Sequence, residues 1–130
     1  MENLNISLIM YDSISDICKS EIERLSLYGK VVLRHKGDII SKVCPPLDHD
    51  YFCFEYQLKE SIEESLCSFQ KIINETELYS RYKNKLKLRI YIQSLEAQMY
   101  LFLSRNAVRI LNDLNLDIEI SILSWGEVKD

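Results

Sequence analysis

Residues 86–93 read LKLRIYIQ, and the alternation is unbroken. Leu86, Leu88, Ile90 and Ile92 fall on one side; Lys87, Arg89, Tyr91 and Gln93 fall on the other. Side chains of a strand point alternately to its two faces, so this stretch predicts a strand with one apolar and one polar face. A sheet with one such face is covered by helices on the apolar side.

Working outward towards the C-terminus, Ala97–Leu103 (AQMYLFL) predicts a second strand, joined to the first through a short Ser94-Leu95-Glu96 loop as an antiparallel hairpin. Ser104 stands where an N-cap belongs, ahead of Ala107, Val108, Leu111 and Leu114 at helical spacing. Asn115 occupies the position of a left-handed C-terminal cap. A last strand from Asp117 is expected to bury Ile118, Ile120 and Ile122.

Working back towards the N-terminus, Ser61 and Glu64 form a capping box for a helix carrying Ile62, Leu66, Phe69 and Ile73. That helix is expected to reach about Tyr82, with Asn84 as its exit. Tyr51–Gln57 (YFCFEYQ) and Lys30–Arg34 (KVVLR) read as strands. The turn His35-Lys36-Gly37-Asp38 lies between them, followed by a brief extended piece at Ile39-Ile40. Ser13 and Asp16 begin a first helix that Gly29 stops, and Leu4–Tyr11 is an alternating strand. The expectation is a single α+β domain over residues 1–130. Its sheet is largely antiparallel, of five to six strands, with three helices packed mainly on one face.

Composition bounds the function. The chain has 130 residues, 47% hydrophobic and 28% charged, which is enough to build a core without staples. Its net charge of −4 disfavours general nucleic-acid binding, because neutralising phosphates supplies most of that affinity. No apolar run is long enough to span a bilayer and no signal-peptide pattern opens the sequence, so a cytoplasmic location is expected. Cys18, Cys44, Cys53 and Cys67 are then reduced thiols.

Little else looks like chemistry. In CPPLDHDYFC (residues 44–53), Cys44, His49 and Cys53 are too widely spaced for a structural zinc site, and neither a metal nor a cofactor is expected. His49 between Asp48 and Asp50 suits a general acid, and the same tripeptide suits a solvated loop tip. Phosphate-binding glycine loops and nucleophile motifs are absent, so no catalytic residue is assigned. The segment from Tyr79 to Arg89 (YSRYKNKLKLR) interleaves bases with tyrosines, the pattern of a single-stranded RNA surface; in an acidic chain it reads first as a helix end running into a polar strand face.

Two surfaces remain as partner-binding candidates. Asp48, Asp50, Glu55, Glu60, Glu63 and Glu64 cluster in sequence, an acidic stretch suited to steering a basic partner. Tyr91, Tyr100 and Trp125, with Tyr11, Phe102 and Leu123, fall on the sheet face opposite the aliphatic sets. That face is too aromatic for bare solvent surface, so a partner, a loop or a second copy of the chain is expected to cover it.

The run from Ile90 to Leu123, with Leu111, Leu114, Leu116, Asp117, Ile118 and Ile120 at its motif positions, resembles the C-terminal half of a family of uncharacterised bacterial α+β domains. Arg34, Lys36, Gly37 and Asp38 are similar to that family's basic turn, although Val31, Val32 and Leu33 stand where it usually carries a tryptophan. Small acidic domains of this kind look like bacterial immunity proteins. What the resemblance implies is a cytosolic, non-enzymatic protein that binds a cognate toxin, such as a basic nuclease, and occludes its active site or a nearby surface. The alternatives are a nucleic-acid-binding module using Tyr79–Arg89 and a small enzyme centred on His49.

Overall fold

The computed structural model describes residues 3–11, 17, 19–57, 61–96 and 101–127. The elements run β1 (Asn3–Tyr11), α1 (Lys19–Ser26), β2 (Lys30–Arg34), β3 (Tyr51–Gln57), α2 (Ile62–Asn74), α3 (Leu78–Tyr82), a 3-10 turn (Lys83–Lys85), β4 (Leu86–Glu96), α4 (Arg105–Leu114) and β5 (Asp117–Glu127). The fold is α+β, with a mixed five-stranded sheet in the order β2-β3-β1-β4-β5 and four helices.

The directions follow from the pairings. β3 runs antiparallel to both β1 and β2, so β1 and β2 are parallel strands with β3 inserted between them. β4 flanks β1 antiparallel on the other side. From β1 to β4 this is the split βαβ arrangement, to which α4 and β5 are appended. β5 runs parallel to β4, because α4 carries the chain back across the sheet before it begins.

Register places one apolar set on one face. Leu8 lies opposite Phe54 and Leu88, Ile6 opposite Tyr56 and Ile90, and Met10 opposite Phe52 and Leu86. These residues join Leu25, Leu66, Phe69, Ile73, Leu78, Ala107 and Leu111 from the helices in one core. Phe69 stacks on Phe54 at 6.0 Å between ring centroids and tilts against Tyr56 at 6.2 Å. The described helices thus lie on a single sheet face, and no described helix covers the opposite, open face.

The caps are local chemistry. Ser61 Oγ accepts the Glu64 N–H at 3.3 Å, and Ser104 Oγ accepts the Ala107 N–H at 3.1 Å. Asn115 ends α4 in the left-handed region, at φ 50° and ψ 47°. Ser13 and Asp16, expected to cap the first helix, lie outside the described residues.

Several expectations are corrected. The long helix does not run to Tyr82: α2 stops at Asn74, where the buried Thr76 hydroxyl donates to the Ile73 carbonyl, and α3 begins afresh at Leu78. This gives four helices rather than three. The hairpin expected after β4 is not seen among the described residues. β4 itself continues through Ser94-Leu95-Glu96, Leu101–Leu103 belong to no strand, and Ala97–Tyr100 lie outside the described residues. Ile39 and Ile40 likewise join no strand. Ile118, Ile120 and Ile122 are not buried but 43%, 46% and 54% exposed. They do point to the helix side, beside Leu88, Ile90 and Ile92, but the helix layer stops short of the edge strand.

Candidate functional site: the open face and its loop

The open face carries the alternate residues of each strand. At one end, register aligns Arg34 of β2, Tyr51 of β3 and Tyr11 of β1 in a row across the sheet. The Tyr11 and Tyr51 rings are 5.7 Å apart. Beyond Tyr11 the row continues into charge: Lys87 Nζ lies 5.9 Å from the Tyr11 ring centroid, within cation–π range.

The loop from His35 to Asp50 folds over this end. It is braced internally. The Gly37 N–H donates to the Leu47 carbonyl at 2.8 Å and the Leu47 N–H to the Asp38 carbonyl at 3.0 Å. Asp38 Oδ2 accepts the His35 N–H, and Asp50 Oδ1 accepts the Lys36 N–H, both at 2.8 Å. Gly37, at φ 94°, makes the turn where a side chain would be strained. His49 meets Tyr11 edge to face at 5.1 Å, and its Nδ1 pairs with Asp48 Oδ1. Together Tyr11, Arg34, Ile40, Leu47, His49 and Tyr51 line a crevice of ≈ 370 Å³. The loop also exposes Ile39 (73%), Ile40 (59%) and Val43 (91%).

Part of this face is nevertheless closed to water. Ile9, Ser7 and Cys53 are buried although they point away from the helices. Burial pushes the Cys53 thiol up, against hydrogen bonds with Tyr51 and Ser7 that favour its thiolate. Burial likewise raises the Tyr51 phenol well beyond its ordinary value, with the Cys53 contact adding to the effect, so Tyr51 stays protonated at neutral pH. Towards β5, Glu119 accepts from Lys87 at 2.6 Å and from Arg89 at 2.7 Å. These two bonds hold the Glu119 carboxyl below its usual range.

The acidic residues belong to separate elements. Asp48 is exposed beside His49, whereas Asp50 is committed to the Lys36 amide. Glu55 sits on the open face, opposite Ser7 and Lys30. Glu63 and Glu64 occupy the first turn of α2, where carboxylates suit the helix dipole. Asp48 and Asp50 precede β3 while Glu63 and Glu64 follow it, and β3 alone spans about 20 Å at ~3.3 Å per residue. Glu60 lies outside the described residues.

Of the aromatic candidates, Tyr91 is on the open face, half-buried, opposite Asn5 and Ser121. Tyr100 lies outside the described residues, and so does the side chain of Trp125, whose backbone belongs to β5. The basic Tyr79–Arg89 segment is divided. The Tyr79 hydroxyl donates to the Leu114 carbonyl, Tyr82 is buried, and Arg81, Lys83 and Lys85 line a recess at the α3–β4 corner. Lys87 and Arg89 lie instead on the open face, paired with Glu119.

Sequence reasoning missed the Arg34–Tyr51–Tyr11 row, whose members come from three strands and which no local pattern announces. It also missed Glu21, a buried carboxylate on α1 with no hydrogen-bond partner among the described residues. No group of three or more His, Cys, Asp or Glu side chains is placed to hold a metal ion among the described residues. No helix among them is long and apolar enough to cross a membrane.

Fold and site together describe a split βαβ domain with an added edge strand and a braced loop over an aromatic crevice. No family model, curated protein or solved structure matches the chain.

Proposed function

We propose that the chain is an immunity protein that docks on a cognate, basic toxin domain through the 35–50 loop and the crevice beneath it. One observation carries this reading: the loop is tied down from within yet presents Ile39, Ile40 and Val43 to solvent. Large apolar side chains held outward on an ordered loop suit a protein interface, because little ordering entropy is lost on binding. Tyr11 and His49 supply aromatic surface beside them, and Arg34 a charged rim. The net charge of −4 favours encounter with a basic partner, which salt would slow.

The test is growth rescue. The chain is co-expressed with the toxin domain encoded beside it, as wild type and as Ile40→Asp and Val43→Asp, both exposed enough to leave folding intact. Rescue by wild type and loss of rescue by the two variants is the expected result. An adjacent gene with no toxin domain, or full rescue by both variants, overturns the reading.

A second reading rests on the Asp48–His49 pair, of which His49 lines the same crevice as Tyr51 and Arg34. A carboxylate that orients an imidazole is the arrangement of a general acid–base catalyst. On that reading, any turnover by the chain disappears in His49→Ala and persists in Val43→Asp.

A further inference from the structure

The two edges of the sheet are built differently. The β2 edge is short, and Lys30 and Arg34 stand at its two ends. Short strands and terminal cations are standard protection against unwanted strand pairing. β5 has neither. It extends from Asp117 to Glu127 as DIEISILSWGE, without a Lys, Arg or Pro, and its register with β4 is regular from Asp117 to Ser124, shifting only beyond that. It pairs only with β4, which leaves its outer edge unpaired among the described residues. The same strand carries the exposed row Ile118, Ile120 and Ile122 on its helix side. Beside that row, an apolar groove of ≈ 340 Å³ runs along α4, and Val108 is exposed next to it.

We propose that this edge pairs with β5 of a second copy of the chain, antiparallel, about a two-fold axis normal to the sheet at Ile120. The sequence fits itself in this register. Ile120 meets Ile120 of the partner, and Ile118 meets Ile122, so each isoleucine finds an isoleucine on the same face. On the other face Glu119 meets Ser121 and Asp117 meets Leu123, so no acid faces an acid. Moving the axis to Glu119 would set two carboxylates against each other, which is destabilising. The isologous pairing joins two five-stranded sheets into one continuous sheet, with both uncovered isoleucine rows side by side between the two α4 helices. A heterologous strand would satisfy the backbone but has no reason to repeat the isoleucine spacing.

This inference is independent of the loop and of the toxin reading, since the two surfaces lie at opposite edges of the sheet. It is tested by sedimentation equilibrium of the full chain over a concentration series, since dimerisation follows mass action. Wild type is expected at twice the chain mass. Ile120→Lys is expected at the single-chain mass, with an unchanged far-UV circular dichroism spectrum confirming that it folds. In a Cys44→Ser background, Ile120→Cys is expected to form a disulfide-linked dimer on mild oxidation, and Leu123→Cys is not. A wild type that stays at the single-chain mass overturns the proposal, and so does a dimer that persists in Ile120→Lys. Protection of β5 amides from exchange only when a toxin domain is added also overturns it, assigning the edge to that partner.

Discussion

Tyr11 and His49 meet edge to face at 5.1 Å, although one closes the first strand and the other belongs to the loop between β2 and β3. Through this contact the loop is fastened to the sheet rather than only to itself. Tyr11 also touches Tyr51 and lies under Lys87, so it is the shared member of three contacts. Tyr11→Ala should therefore cost about 1 kcal/mol beyond the lost burial. It should also speed tryptic cleavage after Arg34, Lys36 or Lys42 several-fold, read by timed digestion and mass spectrometry.

Glu119 gives a pH signature. Its carboxyl is held below the ordinary value by hydrogen bonds from Lys87 and then Arg89. A depressed acid stabilises the fold above the carboxyl's unfolded value, and that contribution fades as pH falls through the folded value. Thermal melts of wild type should thus lose stability on acidification faster than melts of Glu119→Gln, with the two curves converging at the acid end. The gap at neutral pH should shrink in high salt, as expected for half-exposed ion pairs.

Gly29 is the tightest point of the turn from α1 into β2. A Cβ there would stand 2.1 Å from the Glu55 carbonyl oxygen and 3.0 Å from the Phe54 ring. The carbonyl belongs to the β3 backbone and cannot swing aside, so β2 must move away from it. Gly29→Ala should destabilise by about 3 kcal/mol, the upper range for overpacking. Gly37→Ala meets nothing within 4 Å but has φ 94°, and should cost about 1 kcal/mol through backbone strain alone. Chemical denaturation of the two variants separates the mechanisms.

The thiols should differ in reactivity. Cys44 is exposed on the loop, whereas Cys53 is buried and its thiol pushed up by that burial. The thiolate is the reacting species, so iodoacetamide at neutral pH should label Cys44 well before Cys53. Tandem mass spectrometry of samples quenched at intervals assigns each site.

The strands were legible because alternation was. LKLRIYIQ reads the same way in the sheet, with Leu86, Leu88 and Ile90 facing Met10, Leu8 and Ile6. Ser61, Ser104 and Asn115 were legible as caps because capping is a local bond between near neighbours. What alternation does not carry is the identity of a strand's neighbour, its direction, or whether a helix covers it. Ile118, Ile120 and Ile122 have the pattern of a buried strand, and their exposure follows only from β5 lying at the rim. The site was half legible for the same reason. His49 stood out between two carboxylates, yet only Asp48 pairs with it while Asp50 holds a loop amide. Tyr11, Arg34 and Tyr51 carried no joint signal, because only the register of three strands makes them neighbours.

The central place of β1 has a kinetic side. Leu8 finds Phe54 on one flank and Leu88 on the other, so the middle of the sheet is closed entirely by contacts distant in sequence. Such pairings form only after long loops have closed, a requirement that slows folding. During synthesis β1 leaves the ribosome well before β4, with one flank of its backbone and its apolar face still uncovered. In that interval the nascent chain exposes apolar surface and an unpaired strand edge, the features on which aggregation and chaperone recognition both act.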